Sequence, residues 1–114
     1  MPYTYLFRPV YGGDTLLLEF YAEGGFEDFI NTLFEVLGPL EPVIVKSELI
    51  LQDEMLFTVH STMGEFTLSK DPWDLVFILS DEHQDCLHEA DRLLQLDGRF
   101  VKEEADFEAY RLPE

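Results

Sequence analysis

Lysine and arginine are scarce in this chain. Only 7 of its 114 residues are basic against 24 Asp and Glu, a formal charge of −17 with histidine neutral. Nucleic acid and anionic membrane surfaces bind through Lys and Arg that displace counterions, so neither is an expected partner. Cysteine is scarcer still. Cys86 stands alone, so no intrachain disulfide staples the fold, and a reducing, cytoplasmic compartment is expected. The chain opens with no charged segment leading into an apolar run, so no secretory leader is expected. No apolar run approaches the ~20 residues that cross a bilayer.

Catalytic signatures are missing as well. No Gly-x-Ser-x-Gly elbow occurs, so Ser-His-Asp hydrolysis has no starting point. Gly12-Gly13 and Gly24-Gly25 are not followed by Lys-Ser or Lys-Thr, and Asp14, Glu23, Glu27 and Asp28 around them repel phosphate. Those glycines read as turns. No Asp-x-Asp-x-Asp-Gly run offers a calcium loop. Twenty-four acids place some carboxylates close together in any fold, so pairing alone marks no general acid and base.

What is present builds a core. Apolar residues make up 46% of the chain and aromatics 14%, which argues against disorder despite the charge. A domain of this size hides about two-thirds of its unfolded surface. Tyr3 to Val10 alternates with a period of two, Tyr11-Gly12-Gly13-Asp14 is turn chemistry, and Thr15 to Tyr21 returns as a second strand. Phe26, Phe29, Ile30, Leu33, Val36 and Leu37 fall at helical spacing, with Glu27 and Asp28 in the first turn and Gly38-Pro39 closing the helix.

From Pro42 to Leu79 the pattern predicts four strands in a meander. They are Val43–Leu51, with a bulge near Lys46-Ser47-Glu48, then Met55–Ser61, Glu65–Lys70 and Asp74–Leu79. The last is apolar on both faces, as a strand covered on both sides would be. Ser80 or Asp81 is expected to cap a second helix, Asp81 and Gln84 having capping-box form. Cys86, Leu87, Ala90, Leu93 and Leu94 form its buried stripe. Gly98 ends it, and Arg99–Lys102 is a closing strand, expected to follow a right-handed crossover if it runs parallel beside Asp74–Leu79. The segment 103–114 is acidic, with Phe107 and Tyr110 as anchors and a frayed end.

The expected architecture is therefore a single α+β domain over 1–114. It has six to seven strands in a largely antiparallel sheet, order ββα-βββ-βαβ, with two amphipathic helices on one face. The two halves echo each other in element order, though not in residues.

Function is less legible. His83, Cys86 and His88 gather among carboxylates, but zinc needs three or four ligands in a tetrahedron. His83 and Cys86 share a helical face, whereas His88 points elsewhere, and nothing brings His60 to them. No metal and no cofactor is therefore expected, and Cys86, on the buried stripe among acids, is no nucleophile. The remaining signal is acid on the outer face of the second helix (Asp81, Glu82, Asp85, Glu89, Asp91) and in the tail (Glu103, Glu104, Asp106, Glu108). The expectation is a non-enzymatic interaction module that meets a basic protein through Asp81, Glu82, Asp85, Glu89, Glu103, Glu104 and Asp106. Two alternatives stand beside it. One is a homodimer joined through a sheet edge bearing Tyr3, Tyr5, Tyr11 and Tyr21. The other is a small-ligand or metal pocket near His60, His83 and Cys86.

Overall fold

The computed structural model describes residues 2–50 and 54–110. Seven strands form one sheet: β1 (Tyr3–Pro9), β2 (Leu16–Tyr21), β3 (Val43–Ile50), β4 (Glu54–Ser61), β5 (Gly64–Lys70), β6 (Leu75–Leu79) and β7 (Phe100–Glu103). Among the described residues two helices, α1 (Phe26–Val36) and α2 (Gln84–Leu96), accompany the sheet, with 3₁₀ turns at Gly38–Leu40 and Phe107–Tyr110. Across the sheet the order is β3-β4-β5-β6-β2-β1-β7. Every neighbouring pair is antiparallel except β1 with β7. The α+β class and the meander β3–β6 are as the sequence implies.

The closing strand does not lie beside β6, so the condition attached to the right-handed crossover is not met. β7 runs in the same direction as β6 but lies beyond β2 and β1, its register setting Tyr3 against Phe100 and Tyr5 against Lys102. The reason is in β2, which pairs with β1 on one side and β6 on the other, Phe20 meeting Tyr5 and Val76. With β6 enclosed between β5 and β2, α2 delivers its strand to the free side of β1. The β1-β2-α1-β3 and β5-β6-α2-β7 units thus lie about the central β2–β6 pair, with β4 inserted beside β3.

Both helices cover one face. Alternation along the strands turns Tyr5, Phe7, Leu18, Phe20, Phe57, Val59, Phe66, Leu68, Val76 and Ile78 toward them, all buried. Phe29 of α1 sits edge-on to Tyr3 at 5.2 Å and to Phe20 at 5.4 Å, and Phe26 stacks on Phe57 at 5.8 Å. Burial of such a ring contributes about 2–3 kcal/mol. α1 starts after Gly25, whose φ of 116° requires glycine, and ends through the 3₁₀ turn. The left-handed residue that stops this run is Glu41 (φ 51°), not Gly38.

Three further expectations are corrected. β6 is covered on one face only: Val76 and Ile78 are buried, whereas Leu75, Phe77 and Leu79 line the opposite, open face and are half-buried. Part of that face is screened by Arg8, which pairs with Glu19 at 2.8 Å and lies 4.5 Å from the Tyr110 ring and 5.7 Å from Phe77. The second helix begins at Gln84, without the Asp81 capping box. Ser80 Oγ instead accepts the His83 N–H (3.1 Å) and donates to the Glu65 carbonyl (2.8 Å). The Gln84 amide exchanges hydrogen bonds with both backbone groups of Leu16, tying the helix start to β2. The β3 irregularity falls at Val45, between Ile44 and Lys46, slightly earlier than the pattern suggests. Leu51, the end expected for the first meander strand, and residues 52–53 lie outside the described residues, as does the expected fraying of the chain's end at 111–114.

Candidate functional site

A cleft of about 770 Å³ lies between α2, β7 and the segment that follows it. Helical spacing builds one wall. His88, Asp91 and Gln95 recur three and four residues apart, so they project along one side of α2. Phe7 and Leu16 supply an apolar floor, and Lys102, Glu103, Glu104, Ala105 and Phe107 close the far side.

Asp91 anchors this wall. It is 7% exposed, the one buried charged side chain among the described residues. Tyr5 Oη donates to Asp91 Oδ1 at 2.8 Å, and Gln95 Nε2 (3.0 Å) and Lys102 Nζ (2.9 Å) donate to Oδ2. Burying a carboxylate is costly unless charge and hydrogen bonds compensate, and here both do. Burial, followed by the Asp91 carboxylate that accepts its proton, pushes the Tyr5 phenol far above its ordinary value. Lys102 Nζ also lies 5.5 Å from the Phe7 ring, and His88 meets Phe7 edge-on at 5.1 Å. Every buried polar side-chain atom among the described residues has a partner. Asp91 is therefore a brace joining β1, α2 and β7, with its oxygens already engaged. It does not belong with the outer acids of α2, where the charge pattern alone put it.

The other acids fall into separate groups. Glu103 and Glu104 are exposed on the rim of the cleft, beside Phe107, which is half-exposed. Asp106 is exposed next to them and accepts the Glu108 and Ala109 backbone N–H groups. Asp81 and Glu82 flank a second, smaller depression with Glu65 and His83, and Asp85 is exposed in the first turn of α2. Glu89 is engaged by Arg92, whose guanidinium hydrogen bond lowers the Glu89 pKa.

The His60, His83 and Cys86 group is not assembled. His60 is exposed and pairs with Glu65 at 3.0 Å on the open face of the sheet. His83 packs on the β4–β5 turn, where a Cβ built on Gly64 would meet its Cγ at 2.5 Å. Cys86 is buried, 3.4 Å from Ser61 Oγ, and burial raises its pKa while the Ser61 contact opposes the rise. Among the described residues no group of three or more His, Cys, Asp and Glu side chains is arranged to hold a metal ion.

The tyrosines do not form an edge patch either. β1 is enclosed by β2 and β7, Tyr5 is 2% exposed, and only Tyr11 and Tyr21 are well exposed. Sequence reasoning missed both the cleft and its brace. The signal for Asp91 was present, since Leu87, Asp91 and Leu94 continue the apolar stripe at helical spacing. No helix among the described residues is long and apolar enough to cross a membrane. Compared with protein-family models, curated proteins and solved structures, the chain matches none.

Proposed function

We propose that the chain is a non-enzymatic interaction module whose α2–β7 cleft receives a basic, partly apolar segment of a partner protein in a reducing compartment such as the cytoplasm. The observation that carries this reading is the pairing of an apolar floor, Phe7 and Leu16, with a far side where half-exposed Phe107 stands beside a rim formed by Glu103 and Glu104. Arginine and lysine suit such a surface, because their aliphatic stems cover apolar area while their charged heads meet carboxylates. Asp106 adds charge beside the rim. Asp81, Glu82 and Asp85 act at longer range, raising the encounter rate with a cation, while Glu89 contributes less because Arg92 already neutralises it. The same field of −17 repels nucleic acid and anionic bilayers.

Titration with an unstructured peptide alternating Arg and Leu, followed by backbone amide NMR, tests the proposal. Saturable shifts are expected at residues 102–107 and 88–95, weakening as salt rises. A peptide alternating Glu and Leu should leave those signals in place. Charge reversal at Glu103→Lys with Glu104→Lys should weaken binding roughly tenfold, two exposed pairs contributing up to ~1 kcal/mol each. Shifts spread over every acidic residue without saturation would reduce the interaction to nonspecific attraction.

A further inference from the structure

Strand β3 differs from the rest of the surface in two respects at once. All eight of its residues are exposed, with Leu49 at 72% and Val43 at 57%, and Ile44, Val45 and Ile50 also open to solvent. It is also electrically neutral. Lys46 and Glu48 are its only charged residues, in a chain that carries −17. As the outermost strand it presents a row of unpaired backbone N–H and C=O groups, which invite another strand. Elsewhere the excess acid opposes contact between copies, and along Val43–Ile50 that opposition is absent.

We propose that β3 pairs antiparallel with β3 of a second copy about a two-fold axis at Ser47. The occupant is identified by charge. Lys46 and Glu48 face the same side of the sheet, opposite Thr58 and Leu56 on β4, and already touch at 2.8 Å. An axis at Ser47 sets Lys46 directly across from Glu48 of the second copy and Glu48 across from its Lys46. It also places Val45 across from Leu49 on each side. An axis at Lys46 or at Glu48 instead sets two like charges face to face, which is destabilising. The irregularity at Val45 keeps the ladder short, and an isologous contact of this kind closes on itself as a dimer.

Cysteine crosslinking reads this register. Directly opposed residues of an antiparallel pair have Cα atoms ~4.5–5.5 Å apart, within disulfide reach, while residues displaced by two rungs do not. Ser47→Cys should give a covalent dimer under mild oxidation, Glu48→Cys should not, and buried Cys86 adds little background. Sedimentation supplies the second measurement. Glu48→Lys should weaken the dimer roughly tenfold, and adding Lys46→Glu should restore it, because the swapped charges complement each other again. Circular dichroism of each variant confirms that the fold is intact. A monomer at high micromolar concentration overturns the proposal. So does a dimer indifferent to Glu48→Lys, or equal crosslinking at positions 47 and 48.

Discussion

Tyr5 donates a 2.8 Å hydrogen bond to Asp91 across 86 positions of sequence, and through it β1 is fixed to α2. Lys102, one strand over on β7, donates to the other oxygen of the same carboxylate. The wall and floor of the cleft are thus set by one buried polar cluster rather than by apolar packing alone.

Removing the phenol should cost stability without unfolding the protein. Tyr5→Phe keeps the ring that stacks on Phe20 and takes one of three donors from Asp91. A loss of about 1–3 kcal/mol is expected in urea unfolding, the range for a hydrogen bond to a charged, buried group. Asp91→Leu strands no carboxylate but takes the acceptor from Lys102, Gln95 and the buried Tyr5 hydroxyl, so urea unfolding should show a loss at least as large as that of Tyr5→Phe.

The same pair predicts the alkaline limit of stability. The folded state holds the Tyr5 proton above the pH at which an unfolded tyrosine, near 10, releases it. The contribution is complete below about pH 10 and declines as pH rises further, because the unfolded state then binds fewer protons. Unfolding free energies measured from pH 8 to 11 should fall at the top of that range, and Tyr5→Phe should flatten the decline.

At the acid end the relevant group is Asp97. Hydrogen bonds from the Arg99 side chain and backbone N–H bring its pKa down to about 2 from 3.8. A depressed carboxylate stabilises the fold above the unfolded pKa and loses that effect as pH falls through about 4 toward 2. An NMR titration of the Asp97 carboxyl should place its midpoint well below those of exposed aspartates. Arg99→Gln should move it back toward the ordinary value. A midpoint unchanged by that substitution would contradict the assignment.

Gly64 is a glycine that no other residue replaces without strain. Its φ of 118° is strained for any side chain, and a Cβ there would collide with the His83 ring. Gly64→Ala should lower stability by about 2 kcal/mol or more. Combining it with His83→Ala should recover only the steric share, since the backbone conformation remains unfavourable.

Particular residues explain how much of this was legible. The α1 stripe was readable because Phe29, Leu33 and Val36 have one helix period and one buried face. The strands of the meander were readable from alternation, as with Phe57 and Val59 against Thr58 and His60. Strand order was not, because hydrophobic alternation says which face a residue takes but not which edge receives it. The run Val43-Ile44-Val45 illustrates this: it has the composition of an interior strand and lies at the exposed edge. Asp91 was obscured by its chemistry, since an aspartate among other acids reads as solvated until Tyr5 and Lys102 are brought to it by β1–β7 pairing. The cleft rim needed the turn at Phe107–Tyr110, fixed by the Gly12 N–H to Tyr110 carbonyl bond of 2.6 Å.

The most direct test of the proposed function is the amide NMR titration with the Arg-Leu peptide, run on the wild type and on the Glu103→Lys, Glu104→Lys double variant. Saturable, salt-sensitive shifts that cluster around Phe107, Lys102 and the α2 wall, and that weaken roughly tenfold in the double variant, are the predicted result. Equal binding by both proteins, or shifts centred on Asp81 and Glu82 instead, would contradict the assignment of the cleft.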